Sequence, residues 1–482
     1  MEFFGHVVDG RESTEDECGA VADSVDPWTR RPWARFPLGG EADAGRAVAA
    51  ARRAFDTGPW PRMGFAERGA ALHRLAGLIE AHGQELGLAD THDMGKPLTQ
   101  SRDADVPRAA ANFRFFADHA RLATAEVLPM DSGHHCYGRF EAAGVVAAVA
   151  PWNFPLMLAS WKVAPALAWG NTVVLKPAEG SPASATLLAR LALEAGLPAG
   201  VLNVLQGLGP DAGAALTRDP RVDRITFTGS SRTGRSVAAA AASHLAPVSL
   251  ELGGKGANLV FADADLDLAV DWAVKAAFSN AGQICLAGSR VLVQRPVYEE
   301  FTARFVRAAE AMTVGDPLAP ETQIGPLASE QHFRKVSGHL AEAGPGRAAT
   351  LATGGLGEGW SVRPTVLTEV SADSPLWREE IFGPVVAAAP FDDEKQAVVA
   401  ANDTPYGLNA MLFTADLDRA HRVSAALRAG TVWVNCFFVR DLRAPFGGAG
   451  DSGIGREGGA FSREFFTEPK AVVMRIGAEP RD

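Results

Sequence analysis

The chain has 482 residues, which is more than a single hydrophobic core usually supports, so two or more lobes are expected. Its residues are 47% hydrophobic and 21% charged, which is the ordinary globular range and excludes a disordered chain. The formal net charge of −11 argues against binding the phosphate backbone of nucleic acids as the main task.

The N-terminal segment and the cysteines indicate a cytoplasmic protein. Segment 1–17 has no basic stretch followed by an apolar run, so no secretory signal is expected. The apolar run at 142–150 is well short of the roughly 20 residues that span a bilayer. The cysteines are Cys18, Cys136, Cys285 and Cys436. None of their spacings is typical of a zinc site, a redox pair or a disulfide framework, so we expect a reducing compartment and no metal.

The first hundred residues are predicted to be mainly helical. Segments 41–56 and 65–93 have apolar residues at helical spacing and little glycine, and a further helix is expected at 103–122. From about residue 142, short β-branched runs alternate with helical segments, ending in the strand RITFT and a helix from Thr233. This βαβ rhythm predicts a parallel sheet with helices on both faces.

A second α/β series follows and predicts a second lobe, with the join near 251–256. Helices are expected at 265–278 and 298–311, with the strand SRVLVQ between them. The run KAVVMRI at 470–476 is typical of a lone terminal strand. Because an unpaired strand edge needs a partner, we expect it to pair with another subunit of a homodimer or homotetramer.

A glycine-rich segment, GSSRTGRS at 229–236, follows a predicted strand and opens a helix. Its glycines allow a phosphate to approach the backbone, and the helix N-terminus offers free N–H groups. The segment nearly satisfies the phosphate-binding loop of nucleotide hydrolases, but Arg235 stands where that loop requires lysine. The pyrophosphate of a dinucleotide needs no such lysine and is the favoured ligand.

Two reactive side chains stand beside small residues in the middle of the chain. Cys285, in AGQICLAGS, lies between a predicted helix and a predicted strand. Taken alone, a cysteine is more often a small buried hydrophobe than a nucleophile. Glu251, in SLELGGKG, ends a strand-like segment before two glycines that admit a ligand close to the backbone. A glutamate there has the chemistry of a general base.

Seven motifs, in one order, resemble the aldehyde dehydrogenase superfamily. They are PWNFP at 151–155, KPAE at 176–179, FTGS at 227–230, ELGGK at 251–255, GQIC at 282–285, EEIFGP at 379–384 and PFGG at 445–448. The resemblance implies an α/β fold with a Rossmann-type cofactor lobe, an α/β catalytic lobe and a β extension for oligomerisation. The implied domains are an NAD-binding domain of residues 1–122 and 142–252, a catalytic domain of residues 253–455, and an oligomerisation segment of residues 123–141 and 456–482.

The resemblance also implies catalytic roles in the NAD-dependent oxidation of an aldehyde. Cys285 would be the nucleophile that forms a thiohemiacetal and then a thioester. Asn153 would donate its side-chain N–H, with the Cys285 backbone N–H, to the oxyanion, although it could instead only cap a turn. Glu251 would activate the water that hydrolyses the thioester. Glu457 resembles a position proposed as a proton relay, and a structural ion pair is the equal alternative.

Nine further residues are implied as contacts of the cofactor. Lys176 and Glu179 would hold the adenosine ribose, or would form only a surface ion pair. Since a carboxylate accepts the ribose hydroxyls and repels a 2′-phosphate, Glu179 favours NAD over NADP. Ser230 would hold the pyrophosphate, and Glu380 and Phe382 the nicotinamide end. The remaining cofactor positions are Trp152, Gly209, Phe227 and Gly229.

Three positions bear on the substrate. Arg108, Arg440 and Ser279 stand where dehydrogenases of simple aldehydes usually have apolar or aromatic residues, which favours an anionic substrate. NCFFVRDLRAPFGG, SGIGREGG and PRAAANFRFFAD are similar to segments of the 2-hydroxymuconate and 2-aminomuconate semialdehyde dehydrogenases. Alternatively, Arg108 is a solvated helix residue and Arg440 pairs with Asp441. Arg443 would share the carboxylate or serve only structure.

The sequence departs from the family pattern at one position and leaves three alternative functions open. Gly450 stands two residues after PFGG, where the family often has lysine, which puts any role of that lysine in doubt but touches no chemical step. The alternatives are an aldehyde dehydrogenase for uncharged aldehydes, a nucleotide hydrolase, and a catalytically silent relative. The silent relative would be expected to lack Cys285 or Glu251, and both are present.

Overall fold

The computed structural model describes residues 1–131, 133–344 and 346–476. The helices are α1 (Glu41–Asp56), α2 (Phe65–Ala81), α3 (Gly83–Met94), α4 (Leu98–Gln100), α5 (Val106–Arg121), α6 (Pro155–Ala168), α7 (Ala183–Glu194), α8 (Ala214–Arg218), α9 (Ser231–Ala242), α10 (Leu266–Phe278), α11 (Arg295–Glu310), α12 (Glu330–Leu340), α13 (Pro375–Arg378), α14 (Glu394–Asn402), α15 (Leu417–Ala426) and α16 (Gly459–Phe466). The strands are β1 (Glu2–Phe3), β2 (Val7–Val8), β3 (Arg11–Glu12), β4 (Val21–Asp26), β5 (Arg31–Pro37), β6 (Val127–Leu128), β7 (His134–Ala142), β8 (Val145–Val149), β9 (Thr172–Lys176), β10 (Leu202–Val204), β11 (Arg224–Thr228), β12 (Val248–Glu251), β13 (Ala257–Val260), β14 (Arg290–Gln294), β15 (Thr350–Leu356), β16 (Val362–Thr368), β17 (Val385–Phe391), β18 (Tyr406–Gly407), β19 (Asn409–Phe413), β20 (Thr431–Val434), β21 (Ala449–Gly450), β22 (Gly453–Ile454) and β23 (Thr467–Arg475).

The first lobe is built on an eight-stranded sheet of order β22-β12-β11-β8-β9-β10-β2-β3. Its five central strands are parallel, as predicted, and antiparallel pairs close both edges. The central strands are buried because helices cover both faces of a parallel sheet. Their carboxyl ends meet at one edge, where β8, β11 and β12 lead directly into Trp152, Gly229 and Glu251. This edge is where ligands bind in open α/β folds.

The second lobe is built on a seven-stranded sheet of order β15-β16-β17-β14-β13-β19-β20. All its strand pairs are parallel except β15 with β16. Strand β12 belongs to the first sheet and β13 to the second, so the chain passes from one sheet to the other between Glu251 and Ala257. The α/β class is confirmed. Cys285 lies in the loop between α10 and β14, and therefore faces the first lobe from the second.

A three-stranded sheet pairs the terminal strand within its own chain, so the prediction of a lone strand is wrong, while its pairing with another subunit stays a prediction. Strand β23 pairs antiparallel with β7 of the same chain, from Thr467 opposite Ala142 to Arg475 opposite His134. In the sheet order β23-β7-β6, the other edge of β23 has no strand partner among the described residues. Residues 132 and 477–482 of the predicted oligomerisation segment lie outside the described residues.

The prediction of a mainly helical start is wrong for residues 1–37. That stretch forms β1 to β5, of which β1, β5 and β4 make a small sheet and β2 and β3 extend the first lobe. Strands β2 and β3, and strands β4 and β5, are local antiparallel hairpins, whereas β2 also pairs with the distant β10. Strands β1, β2 and β3 are only two residues long, which is too short for a periodic pattern in the sequence. The predicted helix 65–93 is two helices that meet at His82. No helix in the described ranges is long and apolar enough to cross a membrane.

Candidate active site

A cleft between the two lobes collects residues from both sheets. The predicted site residues that line it are Trp152, Asn153, Gly229, Ser230, Cys285, Glu380 and Phe382. Lys176, Glu179, Gly209 and Phe227 lie outside this lining, on the first lobe. Cys285 and Asn153 are therefore brought together, and Glu251, which is not in the lining, is near enough to Cys285 for its charge to act on the thiol.

The Cys285 thiol is held in a tight loop after α10. The loop starts with a 3₁₀ turn in which Asn280 and Ala281 both have a φ of 52°, a left-handed conformation unusual for residues with side chains. Burial, assisted by the negative charges of Glu380 and Glu251, raises the pKa of Cys285 to about 12. The thiol therefore holds its proton in this arrangement.

Asn153 is bound to the Cys285 loop through both its side chain and its backbone. The asparagine is buried, and its Nδ2 donates to the carbonyl of Gln283 at 2.9 Å. Its own carbonyl accepts from Nδ2 of Asn280, also at 2.9 Å. A primary amide has two N–H groups, so one remains for a ligand oxygen beside the thiol.

Glu251 is a buried carboxyl without a hydrogen-bond partner. Its side chain ends β12, and neither of its oxygens is hydrogen-bonded in the part of the chain that the structure describes. Burial and the nearby charge of Glu457 raise the pKa of Glu251 well above 4.5. Since buried polar groups are normally satisfied, a carboxyl with both oxygens unpartnered is an exception.

Glu457, by contrast, is part of an ion pair. Its Oε1 accepts from Nζ of Lys162 and from Oγ1 of Thr226, each at 3.1 Å, and all three side chains are buried. The ion-pair alternative for Glu457 is therefore present, close enough to Glu251 to shift its pKa. Sequence reasoning missed Lys162, although a lysine inside the apolar helix α6 was a usable signal.

The adenosine end of the predicted cofactor site is built at the ends of β9 and β11. Lys176 is buried with its Nζ 3.7 Å from Oε2 of the exposed Glu179, so the ion-pair alternative is present here too. Ser230 caps α9 by accepting the N–H of Thr233 at 3.2 Å. At Gly229 a Cβ would lie 2.4 Å from the Phe227 ring, so this position excludes any side chain. Gly209 starts a π-helical turn, Gly209–Gly213.

The nicotinamide end includes two residues that sequence reasoning missed. Glu380 accepts the N–H of Gly254 at 2.9 Å, and burial raises its pKa. Phe382 has a φ of 63° and meets the Trp152 ring edge-on at 5.4 Å. His332 donates from Nε2 to the Phe382 carbonyl at 2.7 Å, and burial lowers the pKa of His332 to about 4, which keeps the ring neutral. Lys335 donates to the Glu380 carbonyl at 2.9 Å.

Comparison with known proteins identifies the family. The model described as "Aldehyde dehydrogenase family" matches residues 14–472. The chain belongs to the aldehyde dehydrogenase family. It is 45% identical over 471 residues to a 2-hydroxymuconic semialdehyde dehydrogenase of Pseudomonas sp. (strain CF600), covering 95% of this chain and 96% of that relative.

Two further similar proteins are named for other ligands. The mitochondrial benzaldehyde dehydrogenase of Antirrhinum majus is 44% identical, over 95% of this chain and 86% of the relative. The NAD+ complex of an aldehyde dehydrogenase from Bacillus cereus superposes with a TM-score of 0.96 at 39% identity, over 99% of this chain and 97% of that one. Relatives of similar identity thus differ in the aldehyde that their names state.

The loop after PFGG packs against the glycine-rich segment in this aldehyde dehydrogenase. Arg235, which stands where a nucleotide hydrolase needs lysine, forms an ion pair with Asp451 at 2.7 Å. Ser231 donates to the Asp451 carbonyl, also at 2.7 Å. Gly450 has a φ of +60°, and a Cβ there would lie 2.6 Å from the carbonyl oxygen of Pro405. This conformation excludes a lysine at 450 without a change of the loop.

Arg440 lies near enough to both Arg108 and Cys285 for their charges to act on it. The Arg440 guanidinium is 3.9 Å from the ring centre of Phe446 and 5.1 Å from that of Trp161. Burial and the charge of Arg108 lower the pKa of Arg440 to about 10, whereas the charge of Cys285 opposes this. Burial also lowers the pKa of Arg108. Within the described ranges, neither arginine has a hydrogen bond or an ion pair.

The neighbouring Asp441 is engaged elsewhere. It receives two N–H groups of the exposed Arg443, with Nη2 to Oδ2 at 2.6 Å, and this holds the pKa of Asp441 at about 2. The alternative that Arg440 pairs with Asp441 is therefore wrong, and Arg443 has a structural partner. Ser279 is half-buried at the end of α10, and no hydrogen bond joins it to the arginines.

Proposed function

We propose that this aldehyde dehydrogenase oxidises a semialdehyde that carries a carboxylate, of the 2-hydroxymuconate or 2-aminomuconate type, to the dicarboxylic acid. The observation that carries the proposal is the pair Arg108 and Arg440. The charges of the two arginines repel each other, and Asp441 and Glu251 act on them without forming an ion pair, so a substrate carboxylate would supply the direct partner that both lack among the described residues. Arginine suits this task because its planar guanidinium matches a carboxylate with two parallel hydrogen bonds.

The relatives support this substrate class without deciding it. A relative named for 2-hydroxymuconic semialdehyde and one named for benzaldehyde have nearly the same identity to this chain. The aromatic rings of Trp161 and Phe446 beside Arg440 also suit a planar conjugated chain. An uncharged aromatic aldehyde is the second candidate, and it leaves both guanidiniums without a partner.

The cofactor is NAD, and the first lobe fits it. The first N–H groups of α9 lack helical partners and point at the cleft edge, where the bare backbone at Gly229 lets a pyrophosphate approach. The exposed carboxylate of Glu179 is available to ribose hydroxyls and repels a 2′-phosphate. The B. cereus relative, named as an NAD+ complex, has the same fold. When bound, NAD supplies the acceptor for the hydride that leaves the aldehyde carbon.

The residues of the cleft provide the remaining steps. The Cys285 thiol gives its proton to solvent, and Sγ bonds the aldehyde carbon while the carbonyl π electrons move to its oxygen. The resulting oxyanion is met by Nδ2–H of Asn153 and the backbone N–H of Cys285. Loss of hydride leaves a thioester on Cys285. Glu251 takes a proton from water, whose oxygen adds to the thioester carbon, and the C–S bond breaks to release the acid. The raised pKa of Glu251 makes it a stronger base once ionised.

We also propose the domain division and assembly that the family resemblance implies. Residues 1–122 and 142–252 form the NAD-binding domain and 253–455 the catalytic domain, while 123–141 and 456–482 serve assembly. The outer edge of β23 carries exposed apolar side chains at Val473 and Met474, which suits pairing in a homodimer or homotetramer in the cytoplasm. A monomeric mass by light scattering at assay concentration would contradict the assembly.

A substrate panel tests the proposed function directly. NADH formation is measured with muconic semialdehydes, other carboxylated semialdehydes and uncharged aldehydes of similar length. The expected result is a kcat/KM at least about tenfold higher for the carboxylated members, since one charged hydrogen bond is worth that factor or more. Equal values for charged and uncharged members would overturn the substrate class and leave the family activity intact.

A further inference from the structure

A buried lysine lies behind the loop that carries Asn153 and has no role in the steps above. Lys96 follows the C-terminus of α3, and only 2% of it is exposed. Its Nζ donates to Oδ2 of Asp105 and lies 3.5 Å from the ring centre of Phe154. Phe154 directly follows Asn153 and precedes α6. The ammonium thus contacts the residue next to the proposed oxyanion donor.

The same helix anchors the backbone beyond Phe154. Oδ2 of Asp90 accepts the N–H of Leu156, at the start of α6, at 3.4 Å. Burial raises the pKa of Asp90 to about 7, and the charge of Lys96 acts against this rise. The end of α3 therefore supports both the ring of Phe154, through Lys96, and the first turn of α6, through Asp90.

The Asn153 amide is attached to the backbone that this support holds. One N–H of Asn153 donates to Gln283, and both this bond and the turn of the backbone at 153–154 set the direction of the second N–H. Phe154 has a φ of −143° and a ψ of 71°, which is outside the helical and extended regions. A cation held 3.5 Å from the ring centre restrains the Phe154 side chain and, through it, this turn.

We propose that Lys96 is a positioning residue, which through the ring of Phe154 aims the Asn153 amide at the oxyanion. The inference rests on the proposed role of Asn153. Asp105 holds the ammonium in place, and the aromatic ring transmits its position to the loop. A purely structural ion pair between Lys96 and Asp105 is the competing explanation, and it requires no link to Asn153.

A double-mutant cycle separates the two explanations. The measurement is the transient rate of NADH formation in the first turnover at saturating NAD. Asn153→Ala is expected to slow this rate about a hundredfold or more. Lys96→Met and Phe154→Leu are each expected to slow it about tenfold, because a misplaced donor loses much of its effect. Phe154→Leu leaves the Lys96 ion pair intact, so it carries the test if Lys96→Met fails to fold.

The deciding comparison is made in the Asn153→Ala background. There Lys96→Met and Phe154→Leu are expected to have no further effect, since the group they position is gone. Lys275→Met is the control for loss of a lysine–ring contact, because the exposed Lys275 contacts the ring of Trp272 at 4.6 Å, and it should leave the rate unchanged in both backgrounds. If the Lys96 and Phe154 effects simply multiply with that of Asn153→Ala, or are absent, the positioning role is wrong. If Asn153→Ala itself leaves the rate unchanged, the proposed oxyanion role fails instead.

Discussion

Charged side chains in the scaffold and in the active site differ in whether they have hydrogen-bond partners. In the scaffold, the buried Arg290 donates to the carbonyls of Lys255, Ala400 and Ala401 at 2.7 to 3.0 Å. In the site, Glu251 is buried with both oxygens unpartnered within the described residues, and Arg440 forms no hydrogen bond or ion pair there, although Glu251 and Glu457 are near enough for their charges to act on it. Because an unpaired buried charge destabilises a fold, it persists where a ligand or a reaction uses it. If this explanation is right, replacing the unpartnered groups should reduce activity more than replacing partnered ones.

The largest effect is expected at the thiol itself. Cys285→Ala removes the only atom that can bond the aldehyde carbon in the proposed mechanism, so NADH formation should fall about a thousandfold or more. NAD binding, measured by calorimetry, should be nearly unchanged, because the proposed dinucleotide contacts lie elsewhere. Residual turnover within tenfold of the wild type would remove Cys285 from the role of nucleophile.

The next effect separates the two halves of the reaction. Glu251→Gln should slow thioester hydrolysis about a hundredfold while sparing hydride transfer, which gives a burst of NADH and an acyl-enzyme visible by mass spectrometry. Because the pKa of Glu251 is raised, its active, ionised form accumulates as pH rises, so wild-type hydrolysis should increase with pH well above 4.5. Equal loss of both steps, with no adduct, would contradict the role of base.

The third-largest effect on activity is expected from replacing Arg440 or Arg108. Arg440→Ala and Arg108→Ala should each lower kcat/KM for a muconic semialdehyde by roughly ten- to a hundredfold, mostly through KM. Lysine at either position keeps the charge but loses the planar geometry, and should restore only part of the loss. An uncharged aldehyde of similar length should be little affected by any of these changes.

Arg443 provides a matched control in the same loop. It is exposed and already bound to Asp441, so Arg443→Ala should leave both substrates nearly unchanged. If Arg440→Ala and Arg108→Ala reduce activity equally on charged and uncharged aldehydes, the arginines are structural. In the substrate pocket, a charge without a partner would then not indicate a functional residue.

The smallest effect concerns the choice of cofactor. The wild type should have a higher kcat/KM with NAD than with NADP, and Glu179→Gln or Glu179→Ala should narrow the gap by up to about tenfold. The effect is modest because the Glu179 carboxylate is half exposed and screened by solvent. A wild type that prefers NADP would refute the interpretation of KPAE.

The sequence by itself determined the family, the α/β class and the order of the chemical groups. Residues of its motifs lie at the carboxyl ends of β8, β11 and β12. These positions can be predicted because the turns that end strands depend on local residue types such as glycine. Cys285, Asn153 and Glu251 were identified because each stands in a short motif. The strands within residues 1–37 were missed although they pair mostly with each other, because three of the five are only two residues long and show no periodic pattern.

Only the tertiary structure decided which charges have partners. Asp441 forms an ion pair with Arg443, two residues further along the chain, and none with Arg440, which directly precedes it. Lys162 reaches Glu457, and β23 pairs with β7, across separations of hundreds of residues. Such choices follow from packing and from the desolvation of each group, which depend on three-dimensional neighbours. Spacing in the sequence carries no information about them.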